Sequence, residues 1–159
     1  EIIRKKTASL IATSMAIGAA SVTDDEDTLE KMYRIGQDVG VAFQIKDDIF
    51  DYQSKGIIGK PTGNDIKEKK ITLPLLYVLN NSKDGERKRI LKLIKRKNKN
   101  SKVVQELIQL VTEKGGLDYA NKKMEEFKKK AIKDIQQFED GEARKSLIEL
   151  MNYITTRKK

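Results

Sequence analysis

The residues best suited to chemistry are three aspartates in the stretch 43–51, which reads Phe-Gln-Ile-Lys-Asp-Asp-Ile-Phe-Asp. Asp47, Asp48 and Asp51 stand among apolar neighbours, where negative charge is costly. Removing one carboxylate from water costs several kcal/mol, whereas burying an Ile or Phe side chain returns about 1.5–3 kcal/mol. Three such charges require a strong positive partner. Because hard divalent cations prefer carboxylate oxygens, the stretch predicts a divalent metal site.

The helical spacing of the three aspartates indicates which metal and which ligand are expected. On a helix, Asp47 and Asp51 lie one turn apart and Asp48 precedes Asp51 by three residues, so the carboxylates can converge on one space. Mg²⁺ takes one or two protein carboxylates and completes its octahedron with water and phosphate oxygens. Gln44, one turn before Asp48, can aim its amide oxygen into the same space. The predicted ligand is therefore a phosphorylated compound bridged by Mg²⁺.

A solvated acidic patch is the alternative interpretation of the triplet, and the pattern of the surrounding helix argues against it. A face expected to be buried continues at three- and four-residue steps into the acidic end, through Leu29, Met32, Gly36, Val39, Gly40, Phe43, Gln44, Asp47, Asp48 and Asp51. The remaining polar strip is narrow and contains Lys31, Arg34, Asp38 and Lys46. We therefore expect the acidic end to face the core.

The elements that must position these residues are predicted to be helices throughout. Helix formers dominate and the chain has two prolines, so we predict an all-α fold. The first helix is expected over 1–22. The second begins at Thr23, which forms a capping-box pattern with Glu26, and runs to about Ser54. Further helices are predicted near 83–97, 101–114, 117–138 and 142–156, with a glycine break at 115–116. A length of 159 residues suits a single all-helical domain over 1–159.

A glycine-rich loop is predicted over 55–65, between the acidic helix and a helix that resumes at Thr72-Leu73-Pro74. Its glycines permit close approach of the backbone, and Lys60 supplies a flexible cation, which together suit a phosphate group. The loop matches neither a Walker loop nor a dinucleotide fingerprint. An ordinary surface loop therefore stays open as the alternative.

The composition excludes several classes of site. The sequence has no histidine, which excludes a Ser-His-Asp triad and a histidine-ligated zinc site. It has no cysteine either, which excludes disulfides and thiolate ligands and fits a cytoplasmic location. The stretch from Thr7 to Thr23 carries no charge, but it is too polar and slightly too short for a membrane span. We expect no transmembrane segment, and a helix buried in a core instead.

The net charge of +9 favours anionic partners, namely phosphorylated small molecules, nucleic acid or an anionic membrane surface. Much of this charge lies in the run 83–102, which is typical of a solvated helix face. A nucleic-acid-binding module is the alternative. The chain has no helix-turn-helix signature and no set of stacking aromatic residues, so we expect no nucleic-acid partner.

Four motifs together carry a resemblance to a known family. Lys-Thr-Ala-Ser-Leu at 6–10, the acidic stretch at 43–51, Gly-Lys-Pro-Thr-Gly-Asn-Asp at 59–65 and Lys-Ile-Thr-Leu-Pro at 70–74 stand in the order and spacing of the trans-isoprenyl diphosphate synthases, or polyprenyl synthetases. The chain resembles the C-terminal half of these enzymes, and its first and fourth motifs are most similar to the long-chain, octaprenyl-type synthases. The implied fold is the C-terminal half of the isoprenoid synthase helical bundle.

The resemblance implies a Mg²⁺-dependent prenyltransferase that condenses an allylic diphosphate with isopentenyl diphosphate to make a polyprenyl diphosphate. In the family's pattern, the allylic diphosphate ionises and isopentenyl diphosphate attacks the resulting cation. The implied metal ligands are Asp47, Asp48 and Asp51. The implied diphosphate ligands are Lys6 and Lys60.

Four further residues take roles by the same resemblance. Lys70 is expected to support the diphosphate or the closing loop. Thr7 and Gln44 are expected to offer oxygen dipoles to the allylic cation. Phe43 is expected to form part of the pocket wall.

The family also needs a first Asp-rich motif followed by an arginine pair, on helices that precede the matching region, and this sequence contains neither. We therefore expect a C-terminal fragment that is inactive alone and that forms a homodimer as the full-length protein. Two alternatives within the family stay open. One is a short-chain synthase making farnesyl or geranylgeranyl diphosphate, and the other is a non-catalytic subunit of a heteromeric synthase.

Overall fold

A computed structural model of the chain describes residues 3–53, 63–95 and 101–157, without the side chain of Lys6. Every regular element within these ranges is a helix, which confirms the all-α prediction. A π-helical segment, Arg4–Ala8, leads directly into the first α-helix. The α-helices are α1 (Ser9–Ala20), α2 (Glu26–Phe50), α3 (Asn64–Lys67), α4 (Leu73–Asn81), α5 (Asp84–Lys95), α6 (Ser101–Glu113), α7 (Gly116–Ile135) and α8 (Glu142–Thr156).

The helices group into two compact units. The first unit comprises residues up to 46 together with 123–157, and the second comprises 47–122. Each unit has its own apolar core, so each is described by itself. The single domain over 1–159 stays a prediction.

The first unit is built on the apolar face of α2. Ile35 and Val39 of α2 are buried with Ala131 and Ile135 of α7 and Met151 of α8. These residues follow the three- and four-residue spacing that places side chains on one face of a helix. The sequence pattern alone therefore accounts for which faces of these three helices turn inward.

Helix α1 and the π-helical segment before it pack on α2 through small residues. A Cβ atom on Gly36 would lie 2.6 Å from the Cα of Ala12, and one on Gly40 would lie 2.5 Å from the Cα of Ala8. Ala8 and Ala12 are themselves fully buried. Real Cβ atoms do not approach backbone atoms this closely. The two segments of the chain can therefore meet here only if both α2 positions are glycine.

The second unit encloses a larger apolar core. Its buried members are Tyr52, Ile66, Leu75, Val78, Leu79, Ile90, Leu93, Ile94, Val103, Val104, Leu107 and Val111. Gly115 has a φ of 73°, which confirms the predicted glycine break before α7. At Gly116 an added Cβ would meet the Pro74 carbonyl oxygen at 2.6 Å, so α7 starts in direct contact with α4. The rings of Tyr77 and Tyr119 stack across the same helices at 4.4 Å.

The predicted capping box at the start of α2 is wrong. Asp25, not Thr23, accepts the backbone N–H of Thr28 at 3.0 Å and also the Thr28 hydroxyl. Thr23 instead accepts the Asp25 backbone N–H at 3.1 Å. A carboxylate is the stronger acceptor at the positive end of a helix, which explains why the cap lies two residues later.

Two further expectations about local structure are corrected. The predicted loop over 55–65 includes Asn64 and Asp65, which instead begin α3, while 54–62 lie outside the described residues. Asp38, expected on the solvated strip of α2, is 5% exposed and forms an ion pair with Lys130 of α7. The ion-pair partner lies 92 residues away, so local sequence gave no indication of it.

The uncharged stretch from Thr7 to Thr23 is buried on one face rather than on all sides. Ala8 and Ala12 contact α2, whereas Leu10 and Ile17 are 72% and 64% exposed. Within the described ranges, each helix is too short or too polar to cross a lipid bilayer. The expected full burial of α1 is wrong in this chain.

The glycine contacts predict opposite effects of two Gly→Ala substitutions. Gly40→Ala places a methyl group against the backbone at Ala8 and should lower the free energy of unfolding by about 1–3 kcal/mol. Gly18→Ala is the control, because nothing lies within 4 Å of its added Cβ. It should stabilise α1 by about 0.5–1 kcal/mol through helix propensity. Urea unfolding measures both, and equal effects at the two positions would contradict the close approach.

Candidate functional site

The acidic end of α2 places its three predicted metal ligands in different surroundings. Asp48 and Asp51 are 6% and 8% exposed, whereas Asp47 is exposed to solvent. Consecutive residues on a helix point about 100° apart, which explains how Asp47 leaves the face that Asp48 occupies. Among the described residues, no three acidic side chains come together in a group able to hold a metal ion. The structure therefore does not gather all three carboxylates into one cluster.

Asp51 organises the backbone at the start of α3. Its Oδ1 accepts the Asn64 N–H and its Oδ2 accepts the Asp65 N–H, each at 2.9 Å. The Gly63 N–H adds a third bond at 2.8 Å, to the Asp51 carbonyl oxygen. A carboxylate at a helix N-terminus is stabilised by the free N–H groups there. Sequence reasoning missed this structural role, because the contact joins two segments on either side of 54–62.

Tyr52 lies beside the same acidic residues within the second unit. Its phenol is 2% exposed and forms a hydrogen bond of 2.8 Å with the Thr72 hydroxyl. Burial raises the pKa of the Tyr52 phenol above its usual value. The hydrogen bond to Thr72 opposes this rise, and the negative charges of Asp51, Asp48 and Asp65 add to the rise in pKa. Three carboxylates therefore influence the pKa of this one buried phenol.

Lys70, predicted to support the diphosphate, lies just after α3 and is held there by acidic groups. Its Nζ lies 2.7 Å from Glu68 and 3.2 Å from Asp65. These hydrogen bonds raise the pKa of the Lys70 ammonium, with Glu68 contributing most. The backbone N–H of Lys70 also donates to the Asp65 carbonyl at 2.8 Å. The Lys70 ammonium is therefore positioned by contacts with Asp65 and Glu68, which are close to it in the sequence.

In the first unit, the structure brings together two of the residues predicted to offer oxygen dipoles. The Thr7 hydroxyl donates to the Gln44 side-chain oxygen at 2.8 Å, although the two residues are 37 positions apart. Thr7 lies in the π-helical segment. At the end of this segment the Ser9 N–H donates a hydrogen bond to the Arg4 carbonyl oxygen, which is the five-residue spacing of a π-helix. Single π-helical turns occur frequently at functional sites. Nothing in the sequence indicated this segment.

Phe43 contacts a cation from the far end of the chain. The Arg157 guanidinium lies 4.7 Å from the centre of the Phe43 ring, a cation–π distance. Burial lowers the pKa of the nearby Lys46, and the positive charge of Arg157 lowers it further. Of the other predicted site residues, Lys6 is described only by its backbone in the π-helical segment, and Lys60 lies outside the described residues.

Comparison with known proteins gives a consistent match. The family model described as polyprenyl synthetase matches residues 1–111. The heptaprenyl diphosphate synthase component 2 of Bacillus subtilis (strain 168) is 35% identical over 161 residues, covering 98% of this chain and 44% of that protein. The chain thus spans about half the length of the curated relatives it matches.

Solved structures of similar enzymes share the fold. A geranylgeranyl pyrophosphate synthase from Bacteroides thetaiotaomicron matches with a TM-score of 0.89 and 36% identity, over 98% of this chain and 52% of that one. A polyprenyl synthase from Caulobacter crescentus CB15, in complex with calcium and isoprenyl diphosphate, matches with a TM-score of 0.88 and 30% identity, over 99% of this chain and 48% of that one. The similar proteins make products of different chain lengths.

The hydrogen bond between Thr7 and Gln44 can be tested by an isosteric substitution. Thr7→Val keeps the shape of the side chain and removes the donor, so we expect the free energy of unfolding to fall by about 0.5–1.5 kcal/mol. Thr7→Ser keeps the hydroxyl and is the matched control. If the two variants unfold at the same urea concentration, the hydrogen bond contributes nothing to stability.

The backbone contacts of Asp51 predict a larger effect. Asp51→Ala leaves the Asn64 and Asp65 N–H groups without their acceptor, and two charge-assisted hydrogen bonds together contribute on the order of 3 kcal/mol. Amide hydrogen exchange at Asn64 and Asp65 should accelerate. Asp27→Ala, at an exposed position in the first turn of the same helix, is the control and should change stability by less than about 1 kcal/mol. Unchanged exchange at both amides in Asp51→Ala would show that the contacts are unimportant.

Proposed function

Because this chain belongs to the polyprenyl synthetase family, we propose that it serves a Mg²⁺-dependent prenyl transfer, in which an allylic diphosphate condenses with isopentenyl diphosphate to give a polyprenyl diphosphate. We propose this activity for a complete synthase domain, because the chain spans about half the length of its relatives. The single observation that carries it is the burial of two carboxylates, Asp48 and Asp51, at the end of α2. Such charge is suited to a cationic ligand.

The donor chemistry at the end of α2 fits Mg²⁺. The proposed ligands, Asp47, Asp48 and Asp51, offer oxygen atoms alone, and Mg²⁺ needs one or two carboxylates from a protein. Each oxygen of Asp51 accepts one backbone N–H and keeps a further lone pair, so its structural role is compatible with a metal. When bound, the ion supplies positive charge that stabilises the departing diphosphate. A similar enzyme, the Caulobacter polyprenyl synthase, carries calcium with isoprenyl diphosphate in its structure.

The other residues of this chain bind and orient the substrates in the proposed reaction. Lys6 and Lys60 are the proposed diphosphate ligands, Lys70 supports the diphosphate or the closing loop, and Phe43 contributes an apolar wall. The linked oxygens of Thr7 and Gln44 present the negative ends of their dipoles to the allylic cation. Isopentenyl diphosphate attacks that cation through its double bond. Loss of a proton then leaves a product longer by one isoprene unit.

A second candidate assembly is favoured by one comparison. The Bacillus subtilis relative is named as component 2 of its synthase. A chain of this kind would act with a different partner subunit, rather than as the homodimer that we propose for the full-length protein. The proposed ligand set argues for a catalytic rather than a purely structural component, because a structural component needs no metal ligands.

Transplantation of the chain into a complete enzyme tests the proposed function. In the Bacteroides thetaiotaomicron enzyme, the matching 52% is replaced by this chain, and incorporation of labelled isopentenyl diphosphate into prenyl product is measured with Mg²⁺. We expect product from the hybrid and none from the 159-residue chain alone. Asp48→Asn in the hybrid should lower the rate by about 100-fold or more, as expected when a charge-stabilising group is lost.

The matched control is Asp27→Asn, an exposed carboxylate in the first turn of the same helix. It should leave the rate of the hybrid unchanged. A hybrid with an intact circular dichroism spectrum and substrate binding, but no product, would argue against catalysis by this chain. Equal loss of activity in the two variants would argue against a special role for Asp48.

A further inference from the structure

Helix α5 of the second unit presents a row of lysines that the proposed reaction does not use. Lys88, Lys92 and Lys95 are all exposed and lie at steps of four and three residues, so they share one face of the helix. We call these three residues the lysine stripe. Its ends are about 10 Å apart at 1.5 Å per residue. The opposite face of α5 is buried through Ile90, Leu93 and Ile94, which fixes the direction of the stripe.

In the described ranges the lysine stripe is a row of exposed lysines without ion pairs, as is the pair Lys129 and Lys133 on α7. Two flanking charges are compensated, because Arg89 pairs with Glu106 at 2.8 Å and Glu86 pairs with Lys114 at 2.8 Å. Lysines elsewhere are also paired, at Lys123, Lys128, Lys130 and Lys145.

Like charges one helical turn apart destabilise a helix. Lys92 and Lys95 gain from the helix dipole in the last turn, but Lys88 lies in the middle of α5 and does not. Neighbouring members of the stripe lie about 5–6 Å apart along the helix axis, within the screening length of about 8 Å at physiological salt, so their fields add. An anionic partner removes the repulsion that the fold leaves in place.

We propose that the lysine stripe docks this unit on the surface of an anionic lipid bilayer. Lysines keep their ammonium groups in water while their stems lie along a surface, which suits a plane of lipid phosphates. Nucleic acid fits less well, because α5 carries no aromatic residue for base stacking and the stripe contains no arginine for base edges. The face also lacks a large exposed apolar side chain, so the binding is peripheral, electrostatic and reversed by salt.

This proposal rests on charge placement and not on the proposed enzymatic activity. It is tested by sedimentation of the 159-residue chain with vesicles of phosphatidylcholine, with and without phosphatidylglycerol, in the absence of substrate. We expect binding to the anionic vesicles alone. The binding should be lost on going from about 0.15 M to about 1 M salt, where the screening length falls from about 8 Å to about 3 Å.

The variant Lys88→Gln with Lys92→Gln should lower the vesicle partition coefficient by about 30-fold, from the usual contribution of each lysine near an anionic membrane. Lys92→Gln with Lys95→Gln gives a second, independent loss. The matched control is Lys129→Gln with Lys133→Gln, an exposed pair at the same spacing on α7. The control should change binding by less than about twofold.

Three results would overturn the proposal. They are no preference for anionic vesicles, equal losses in the stripe and control variants, or stripe-dependent retention of a DNA duplex at salt concentrations that abolish vesicle binding. Unchanged circular dichroism spectra of all variants ensure that a loss of binding reports on charge and not on unfolding. Loss of binding in both stripe variants, with binding kept in the control, supports the proposal.

Discussion

The close approach of α2 to the segment before it is the constraint on which the first unit depends. Gly36 and Gly40 leave no room for a side chain against Ala12 and Ala8, so the backbones of the two segments come into contact. Thr7 directly precedes Ala8, and Gln44 follows Gly40 by one turn, so the same contact brings the two side chains into hydrogen-bond distance. The position of these polar groups is therefore a consequence of tight helix packing, and a change of one methyl group would alter it.

The second unit depends in a comparable way on Asp51. A buried carboxylate must have its oxygens satisfied, and Asp51 achieves this with two backbone N–H groups at the start of α3. The contact holds the start of α3 beside Asp51. One residue thus serves both the backbone of α3 and the proposed metal site.

The second unit contains both buried carboxylates and exposed lysines. The carboxylates of Asp48 and Asp51 are buried, whereas the lysine stripe of α5 is exposed and without acidic partners. A buried charge interacts strongly with its neighbours because the surrounding dielectric constant is low. An exposed charge is screened by salt and contributes mainly to binding of large, highly charged partners. The acidic region is accordingly suited to a small cation with a phosphorylated ligand, and the stripe to an extended anionic surface. Membership of the polyprenyl synthetase family is consistent with a cation at the acidic region. It gives no information about binding of an anionic surface by the lysine stripe.

The sequence by itself determined the helical class, the bounds of α6 and α8 to within one residue and the acidic end of α2, because these follow from periodicity, turn residues and residue chemistry. It predicted α8 over 142–156 as observed, and the glycine break before α7. Only the tertiary structure decided that Asp47 is exposed while Asp48 is buried, that Asp38 pairs with Lys130, and that Asp51 binds the backbone of α3. These outcomes depend on partners 13 to 92 residues away, and local patterns carry no information about which distant groups meet.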